Sequence, residues 1–346
     1  MTDVPVRPVT ISEIAAQAGV STPTVSRVLN RRSDVSPQTR ERVEHLLREH
    51  GYRRRGDQVE RRAWLIDLVF EDLDSPWAVE VIRGVEDAAH ARGAGAVVSA
   101  IHGRRRSARE WLQNLRARAS DGVILVTNAV EPDLLDELRR LQVPTVAIDP
   151  GGLPDLDLPS VGATNWAGAL AAIELLTGLG HQRIGFVAGR PGLACSRARL
   201  GGYRAGLESA GLAFDPRLVT PGNFDYASGF AAGSHLLELE APPTAVFAGS
   251  DEMALGVYEA ARQRGLRVPE DLSVVGFDDL PQAQWASPPL TTVRQPLEDM
   301  GRFAVHTVLR MMNDEHLETS KIELATTLVV RESTTPPAGT EGHGLA

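Results

Sequence analysis

The sequence has one cysteine, no long apolar run and no N-terminal export pattern, and each absence excludes a class of protein. Cys195 alone cannot form an internal disulfide or a multi-cysteine zinc site, which is typical of a reducing compartment. No run of about 18 apolar residues occurs, so no transmembrane helix is predicted. The first ten residues carry Asp3 and prolines in place of the basic and apolar regions of a signal peptide. We therefore expect a cytoplasmic protein.

Length and composition indicate a globular protein of more than one domain. The chain has 346 residues, of which 42% are hydrophobic and 23% charged, with a net charge of −9. At about 100 to 200 residues per domain, this length predicts two or three domains. The composition excludes a fibre or a low-complexity chain.

The charge is unevenly distributed along the chain. Residues 1–62 contain 12 arginines and 8 acidic residues, which leaves 24 basic and 37 acidic residues for the remainder. The sequence is therefore a small basic head (+4) followed by a large acidic body (−13). A basic cluster at Arg53, Arg54, Arg55, Arg61 and Arg62 is typical of a module that faces nucleic acid, although such a run is more often a solvated surface.

The helices in front of this cluster favour nucleic-acid binding. A capping box between Thr10 and Glu13 begins the first helix, Ser21 caps the second, and Pro37 lies in the first turn of the third. The predicted helices start at residues 10, 21 and 36, and Gly19 and Gly51 are the expected ends of the first and third. Two helices joined by a short glycine-containing turn form a helix-turn-helix, whose second helix enters the major groove by its N-terminal residues.

The second helix presents a polar face opposite its apolar stripe of Val25, Val28 and Leu29. On that face Arg27 is best suited to a bidentate contact with guanine, whereas short polar side chains suit phosphate contacts. The alternative is a three-helix surface module without a ligand. The candidate DNA-binding residues are Thr10, Ser21, Thr22, Pro23, Thr24, Ser26, Arg27, Asn30, Arg53, Arg54 and Arg55.

The head resembles the DNA-binding domain of the lactose-repressor (LacI/GalR) family of bacterial transcription regulators. The resemblance lies in VTISEIA at 9–15, AGVS at 18–21, TVSRVLN at 24–30 and VSPQTRERV at 35–43. It implies a homodimer that binds a pseudo-palindromic DNA operator, with Thr22, Pro23 and Arg27 at the positions that read bases.

The segment after Gly51-Tyr52 departs from the family pattern. In the family this segment folds on DNA into a hinge helix, whose leucine wedges into the minor groove. Here residues 53–63 are shorter and lack that leucine, and Val59 is the one apolar candidate for a wedge. Insertion of an arginine into the minor groove is an alternative to intercalation.

The sequence of the body predicts α/β lobes with parallel sheets, because short apolar runs alternate with amphipathic segments. Predicted strands are 65–70, 96–100, 122–126, 145–148, 183–188, 244–248 and 273–277, and predicted helices lie near 77–92, 107–117, 132–141, 166–179, 197–210, 226–239 and 251–264. In open α/β sheets ligands bind beyond the carboxyl ends of the strands. The polar and aromatic residues that follow each strand are therefore expected to converge on one cleft between two lobes.

The domain boundaries follow from these patterns. We expect an all-α helix-turn-helix head at 1–52, a hinge linker at 53–63 and a body at 64–335. Within the body the first lobe is predicted at about 64–162 plus 291–322, and the second at about 163–290 plus 323–335. The chain after Glu332 is rich in proline, glycine and threonine, so we expect disorder there, with a tail at 336–346. It has no leucine heptads, so a tetramer through a coiled coil is not expected.

The body resembles the same family, which implies lobes like those of periplasmic binding proteins. The resemblance lies in LGHQRIG at 179–185, SRARLGGY at 196–203, DEMALG at 251–256, SVVGFDD at 273–279 and PPLTTVRQ at 288–295. It implies that Asp149, Arg199, Phe224, Ser250 and Asp278 bind a small-molecule effector. The candidate effector-binding residues are Ser75, Trp77, Asp149, Arg199, Phe224, Ser250, Asp278 and Trp285.

The effector is expected to be a carbohydrate, because carboxylates and guanidinium groups grip vicinal hydroxyls while an aromatic ring covers a sugar face. Neutral polar residues are expected to dominate the cleft, which favours a di- or oligosaccharide over a purine. Trp77 and Trp285 either stack on the ligand or pack the lobes. Ser250 stands where many family members have asparagine, which leaves room for a larger ligand.

The sequence disfavours two other classes of function. An enzyme is not expected, because Cys195 has no neighbouring base, Asp278 and Asp279 project in different directions, and no hydrolase, P-loop or metalloprotease motif occurs. No catalytic residue, cofactor or metal is therefore predicted. A solute-binding protein for transport shares the body fold, but the head and the absent signal peptide argue against it. The sequence predicts a repressor released from its operator by a sugar, and leaves corepression open.

Overall fold

The computed structural model describes residues 10–29, 35–50, 64–101, 105–126, 132–150 and 158–338. The chain divides between Ala63 and Trp64 into two compact units, which we call the head and the body. Within the described ranges, no helix combines the length and the hydropathy that a membrane span requires. The predicted hinge at 53–63, including Val59, lies outside the described residues.

The head contains three helices around a small apolar core. Helices α1 (Ile11–Ala18), α2 (Thr22–Leu29) and α3 (Pro37–Glu49) bury their apolar faces against one another. The predicted capping box is present, and Gly19 ends α1 in the left-handed conformation with φ of 65°. Ile14, Val25 and Val43 are completely buried. The prediction of a helix-turn-helix head is confirmed.

The body contains helices and strands in alternation, as predicted. Its described elements are, in chain order, β1 (Trp64–Phe70), α4 (Pro76–His90), β2 (Ala94–Ala100), α5 (Arg105–Arg118), β3 (Gly122–Val126), α6 (Pro132–Arg140), β4 (Thr145–Ile148), β5 (Ser160–Ala163), α7 (Asn165–Gly178), β6 (Ile184–Ala188), α8 (Ala194–Ser209), β7 (Val219–Pro221), α9 (Tyr226–Leu237), β8 (Ala245–Ala248), α10 (Asp251–Gln263), β9 (Ser273–Asp278), α11 (Pro281–Trp285), β10 (Thr291–Arg294), α12 (Leu297–Met312), β11 (Lys321–Leu324) and β12 (Thr327–Val329). All seven predicted strands are present among them.

Two six-stranded sheets define the two lobes of the body. The first sheet has the order β11-β5-β4-β3-β1-β2, and the second has the order β12-β10-β9-β8-β6-β7. Strands pair in parallel throughout, except that β12 runs antiparallel to β10. Helices pack against both sheets, so the strands are buried apolar runs, as expected for parallel sheets. The α/β fold class is confirmed.

The chain crosses between the lobes three times, and two of the crossings differ from the prediction. The crossings follow β5, β10 and β11. Residues 291–294 were expected in the first lobe, but β10 pairs with β9 and belongs to the second sheet, because its backbone continues the parallel ladder beside Val275 to Asp278. Residues 323–324, expected in the second lobe, instead complete β11 in the first sheet.

Residues after Glu332 contact the second lobe, contrary to the disorder expected from residue 333. Ser333 is completely buried, accepts a hydrogen bond from the Thr291 backbone N–H at 2.8 Å and donates one to the Val274 carbonyl at 2.6 Å. His181 Nε2 lies 2.9 Å from the Thr335 carbonyl oxygen. Composition alone was misleading here, because specific hydrogen bonds to the second lobe hold the segment.

Candidate functional site

The N-terminal half of α2 forms the exposed polar surface of the head. Thr22 and Pro23 begin the helix and are exposed, as is Arg27 one turn later. Val25 and Val28, on the opposite face, are buried. The helix thus exposes the three side chains for which base contacts were predicted.

The other candidate DNA contacts of the head have local structural roles or lie outside the described residues. The Ser21 and Thr24 hydroxyl oxygens are 2.9 Å apart at the start of α2. Thr10 caps α1, and its hydroxyl donates to Glu13 at 2.9 Å. Ser26 is half-buried on α2. Asn30, Arg53, Arg54 and Arg55 lie outside the described residues.

A cleft of about 340 Å³ lies between the two lobes of the body, where strands of both sheets end. Seven of the eight candidate effector-binding residues line it: Ser75, Trp77, Asp149, Arg199, Phe224, Ser250 and Asp278. Trp285 does not. It lies at the end of α11 with 75% of its surface exposed, because the helix that follows β9 carries this side chain away from the cleft.

Arg199 is the best-anchored side chain of the cleft. Only 3% exposed, it donates from Nε to the Asn165 side-chain oxygen at 2.8 Å and from Nη1 to the Gly249 carbonyl. Its guanidinium carbon lies 3.8 Å from the centre of the Phe277 ring, within cation–π distance. Its Nη2 is 3.7 Å from Asp278 Oδ1. The cation is therefore held rigidly, which is what orienting a polar ligand requires.

Burial perturbs both predicted aspartates of the cleft. It raises the pKa of Asp278 to about 7, although the nearby Arg199 and a 2.6 Å hydrogen bond from Gln295 Nε2 act in the opposite direction. It also raises the pKa of Asp149, against the attraction of Arg199 and a hydrogen bond from the Cys195 thiol. Such perturbed carboxyl groups in a cleft are typical of functional sites.

Phe224 is an aromatic residue in the left-handed region, with φ of 66°. Non-glycine residues with positive φ are uncommon and cluster at functional sites. Asp149 and Asp278 share this property, with φ of 46° and 119°. The Phe224 ring lies on Gly189, where an added Cβ would be 1.9 Å from the ring atom Cζ. Gly189 therefore leaves the space that the ring occupies.

Two neighbours of the predicted residues have structural roles. Asp251 is completely buried, accepts the Leu280 backbone N–H at 2.8 Å and is bonded by the Thr292 hydroxyl. Asp279 accepts hydrogen bonds from Arg294 and Arg331. Asp278 lines the cleft whereas Asp279 does not, so the adjacent carboxylates do have different surroundings, as expected.

The Ser250 hydroxyl makes two hydrogen bonds within the second lobe. It caps α10 by accepting from the Met253 backbone N–H at 3.2 Å, and it donates to the Phe224 carbonyl at 3.3 Å. Its hydroxyl thus supports the residue that carries the aromatic ring.

The cleft is more acidic than the sequence indicated. Its described lining contains seven carboxylic acids, which are Glu71, Asp72, Asp74, Asp149, Asp225, Glu252 and Asp278, but two arginines, Arg190 and Arg199. The expectation that neutral polar residues dominate is wrong. Charged residues next to the predicted ones were missed, although the rule that ligands bind beyond strand ends pointed to their loops.

Cys195 also lines the cleft, next to Asp149 and Arg199. Burial raises the pKa of its thiol to about 12, so it is not a thiolate at neutral pH. Among the described side chains, no group of three or more His, Cys, Asp or Glu residues could hold a metal ion.

Comparison with known proteins identifies the family of this chain. The family model described as bacterial regulatory proteins, lacI family, matches residues 10–55, and the model for a periplasmic binding protein-like domain matches residues 173–334. The HTH-type transcriptional repressor CytR of Escherichia coli (strain K12) is 35% identical over 94% of this chain and 96% of its own. The chain belongs to the lacI family.

Solved structures of this family show the same fold. A transcriptional regulator CelR–cellobiose complex has a TM-score of 0.73 and 35% identity, covering 94% of this chain and 99% of that one. A lac repressor dimer bound to operator and the anti-inducer ONPF has a TM-score of 0.73 and 29% identity, covering 95% of this chain and 100% of that one. The lacI-family head and body thus occur together in one chain, as in these relatives.

Proposed function

We propose that this lacI-family protein is a cytoplasmic, homodimeric transcriptional repressor that leaves its operator when a sugar binds between the lobes of its body. The observation that carries the proposal is the combination, in one chain, of a helix-turn-helix that exposes Arg27 with a cleft centred on Arg199 and Asp278. A dimer is proposed because one short head makes too few contacts for a specific site, and two half-sites multiply the affinity.

A carbohydrate is the proposed effector because the cleft combines hydroxyl-binding groups with an aromatic ring. Asp149, Arg199 and Asp278 line the same cleft as Phe224 and offer acceptors and donors for vicinal hydroxyls. The cellobiose complex of the similar regulator CelR supports a disaccharide. The acidic lining of the cleft favours an uncharged sugar over one that carries phosphate or carboxylate groups, because like charges repel.

The proposal is tested by gel shift with the DNA upstream of the native gene, with and without a panel of sugars that includes cellobiose. We expect the purified dimer to bind at moderate salt and one sugar to release it. Arg27→Ala should weaken DNA binding about tenfold or more without affecting sugar binding, whereas Asp278→Ala should abolish sugar binding without affecting DNA binding. Sugar binding without any DNA binding by the dimer would indicate a solute-binding protein and refute the proposal that the protein is a transcriptional regulator.

Linkage separates induction from corepression. If the sugar weakens operator binding, saturating operator must weaken sugar binding by the same factor. Calorimetric titration of the sugar with and without operator measures that factor. A sugar dissociation constant unchanged by operator would refute induction, and a smaller one would indicate corepression.

A further inference from the structure

Besides the weak hydrogen bond from the Cys195 thiol to Asp149, two polar contacts connect the lobes directly across the cleft. The Ser75 hydroxyl of the first lobe donates to Glu252 Oε2 of the second at 2.7 Å. Arg190 Nη1 of the second lobe lies 3.3 Å from Glu71 Oε2 of the first. Both contacts join residues that line the cleft, so they bridge its two walls.

These contacts lie far from the strands where the chain crosses. The crossings lie at the edges of the sheets formed by β11 and β5 and by β12 and β10. Glu71 and Ser75 follow β1 and Arg190 follows β6, each the fifth strand from its crossing edge, and Glu252 follows β8, the fourth. A contact far from a hinge restricts rotation most, because a small rotation at the hinge moves distant groups apart by a large distance.

Ser75 and Glu252 lie at the starts of helices, and Arg190, which lies in the loop after β6, is held by a side chain of its own lobe. Ser75 is the N-cap of α4, where its oxygen accepts the Trp77 backbone N–H at 3.3 Å. Glu252 lies in the first turn of α10, which Ser250 caps. Arg190 is held from its own lobe by the Asn223 side-chain oxygen at 2.9 Å. Little conformational entropy therefore remains to be lost when the contacts form.

We infer that Glu252, through Ser75, is the residue that holds the two lobes together independently of any ligand, with Arg190 and Glu71 as a weaker second contact. The Arg190–Glu71 pair is weaker because Arg190 is 40% exposed and water screens the pair. The body then opens and closes by itself, and a ligand shifts this equilibrium instead of creating it. The inference rests on the proposed function for the nature of the ligand, but not for the closure.

Cys195 provides a reporter of opening without engineering. It is the chain's one cysteine, it lines the cleft, and it is 7% exposed. Its raised thiol pKa and its burial both suppress alkylation while the lobes are closed. An uncharged reagent such as iodoacetamide avoids repulsion by the acidic lining. The rate of alkylation in the native protein then measures the population of the open form.

The test compares alkylation rates of full-length Glu252→Ala, Glu252→Gln and the unaltered protein, without DNA or sugar. We expect Glu252→Ala to be alkylated about tenfold faster, the size expected for a hydrogen bond to a charged group. Glu252→Gln should stay within about threefold of the unaltered rate, because its amide oxygen accepts the same bond. Glu259→Ala is the matched control on α10, since Glu259 pairs with Arg262 of its own helix.

A double-mutant cycle shows whether the contact itself is responsible. Ser75→Ala should accelerate alkylation as Glu252→Ala does, and the double variant should be no faster than either single one. Equal rates for Glu252→Ala and the unaltered protein, or additive effects in the cycle, would overturn the inference. If Glu252→Ala does not fold, Ser75→Ala alone decides, and far-UV circular dichroism identifies unfolding. The gel shift with DNA is a separate measurement, so its failure would overturn the proposed function without affecting this result.

Discussion

Replacing Asp278 with asparagine should stabilise the body at alkaline pH while abolishing sugar binding. Asp278 is 6% exposed, and burial raises its pKa to about 7 from the ordinary 3.8. The folded protein therefore retains a proton that the unfolded chain releases, so stability falls as the pH rises from about 4 to about 7. Above pH 7 the raised pKa lowers the free energy of unfolding by about 4 kcal/mol, because each unit of pKa difference corresponds to about 1.4 kcal/mol.

The asparagine loses part of this gain because an amide replaces the buried carboxyl group imperfectly. Its oxygen still accepts from Gln295 Nε2, but its N–H groups take the place of an acceptor. The attraction of Arg199 is already contained in the pKa of about 7, so we allow about 2 kcal/mol for the amide donors alone, within the range for a buried polar group left without a partner. A net gain of about 2 kcal/mol at pH 8 remains, which raises the melting temperature by about 4 to 8 °C in a body of this size.

Differential scanning calorimetry of Asp278→Asn and the unaltered protein at pH 5 and pH 8 measures this effect. The variant should melt higher at pH 8, and the difference should shrink or reverse at pH 5, where Asp278 is already neutral. Asp271→Asn is the control of opposite sign, because the exposed Asp271 pairs with Arg267, which lowers its pKa. A lower melting temperature for Asp278→Asn at both pH values would refute the reasoning, since it would mean that the carboxylate is ionised and well paired in the folded state.

Three further substitutions test separate parts of the molecule. Arg27→Ala should raise the operator dissociation constant about tenfold or more in a gel shift, because a bidentate base contact is lost, and an unchanged constant would exclude Arg27 from base reading. Gly189→Ala should weaken sugar binding in a calorimetric titration, because Phe224 must move, whereas Gly178→Ala, with open space around it, should not; equal affinities would contradict the role of the ring. Ser333→Ala should cost about 1 to 3 kcal/mol in urea unfolding, because a buried backbone N–H loses its acceptor, and a change below about 0.5 kcal/mol would mean that the segment contributes little.

Elements with a local signal were predictable from the sequence, and those without one were not. The capping box at Thr10 and the left-handed Gly19 follow from local chemistry, so α1 was predicted to within one residue. Strands β5, β7, β10, β11 and β12 have three or four residues each and were missed, whereas the equally short β4 and β8 were predicted because each is a continuous buried run. The pairing of the missed strands depends on residues far along the chain, which a local pattern does not contain. The 16-residue helix α12 was also missed.

The candidate site was predicted where loops follow strands and missed where helix direction decides. Asp149 directly follows a strand and Asp278 ends one, so the rule that ligands bind beyond the carboxyl ends of strands was sufficient to predict both. Trp285 is the last residue of α11, the helix after β9, and this helix carries its side chain to the surface. Glu252 was not predicted because its contact with Ser75 joins two lobes and has no local signal.

The three crossings between the lobes impose an order on biosynthesis. Helix α12 supplies Met300, Ala304 and Val305 to the core of the first lobe, yet it follows β10 in the chain. The ribosome must therefore make residues 165–294, nearly the whole second lobe, before the first lobe can complete its core. Since domains fold as units during synthesis, the face of the nascent first sheet that α4 and α12 share stays incompletely covered in that interval. This unfinished sheet is where we expect chaperones to bind the growing chain.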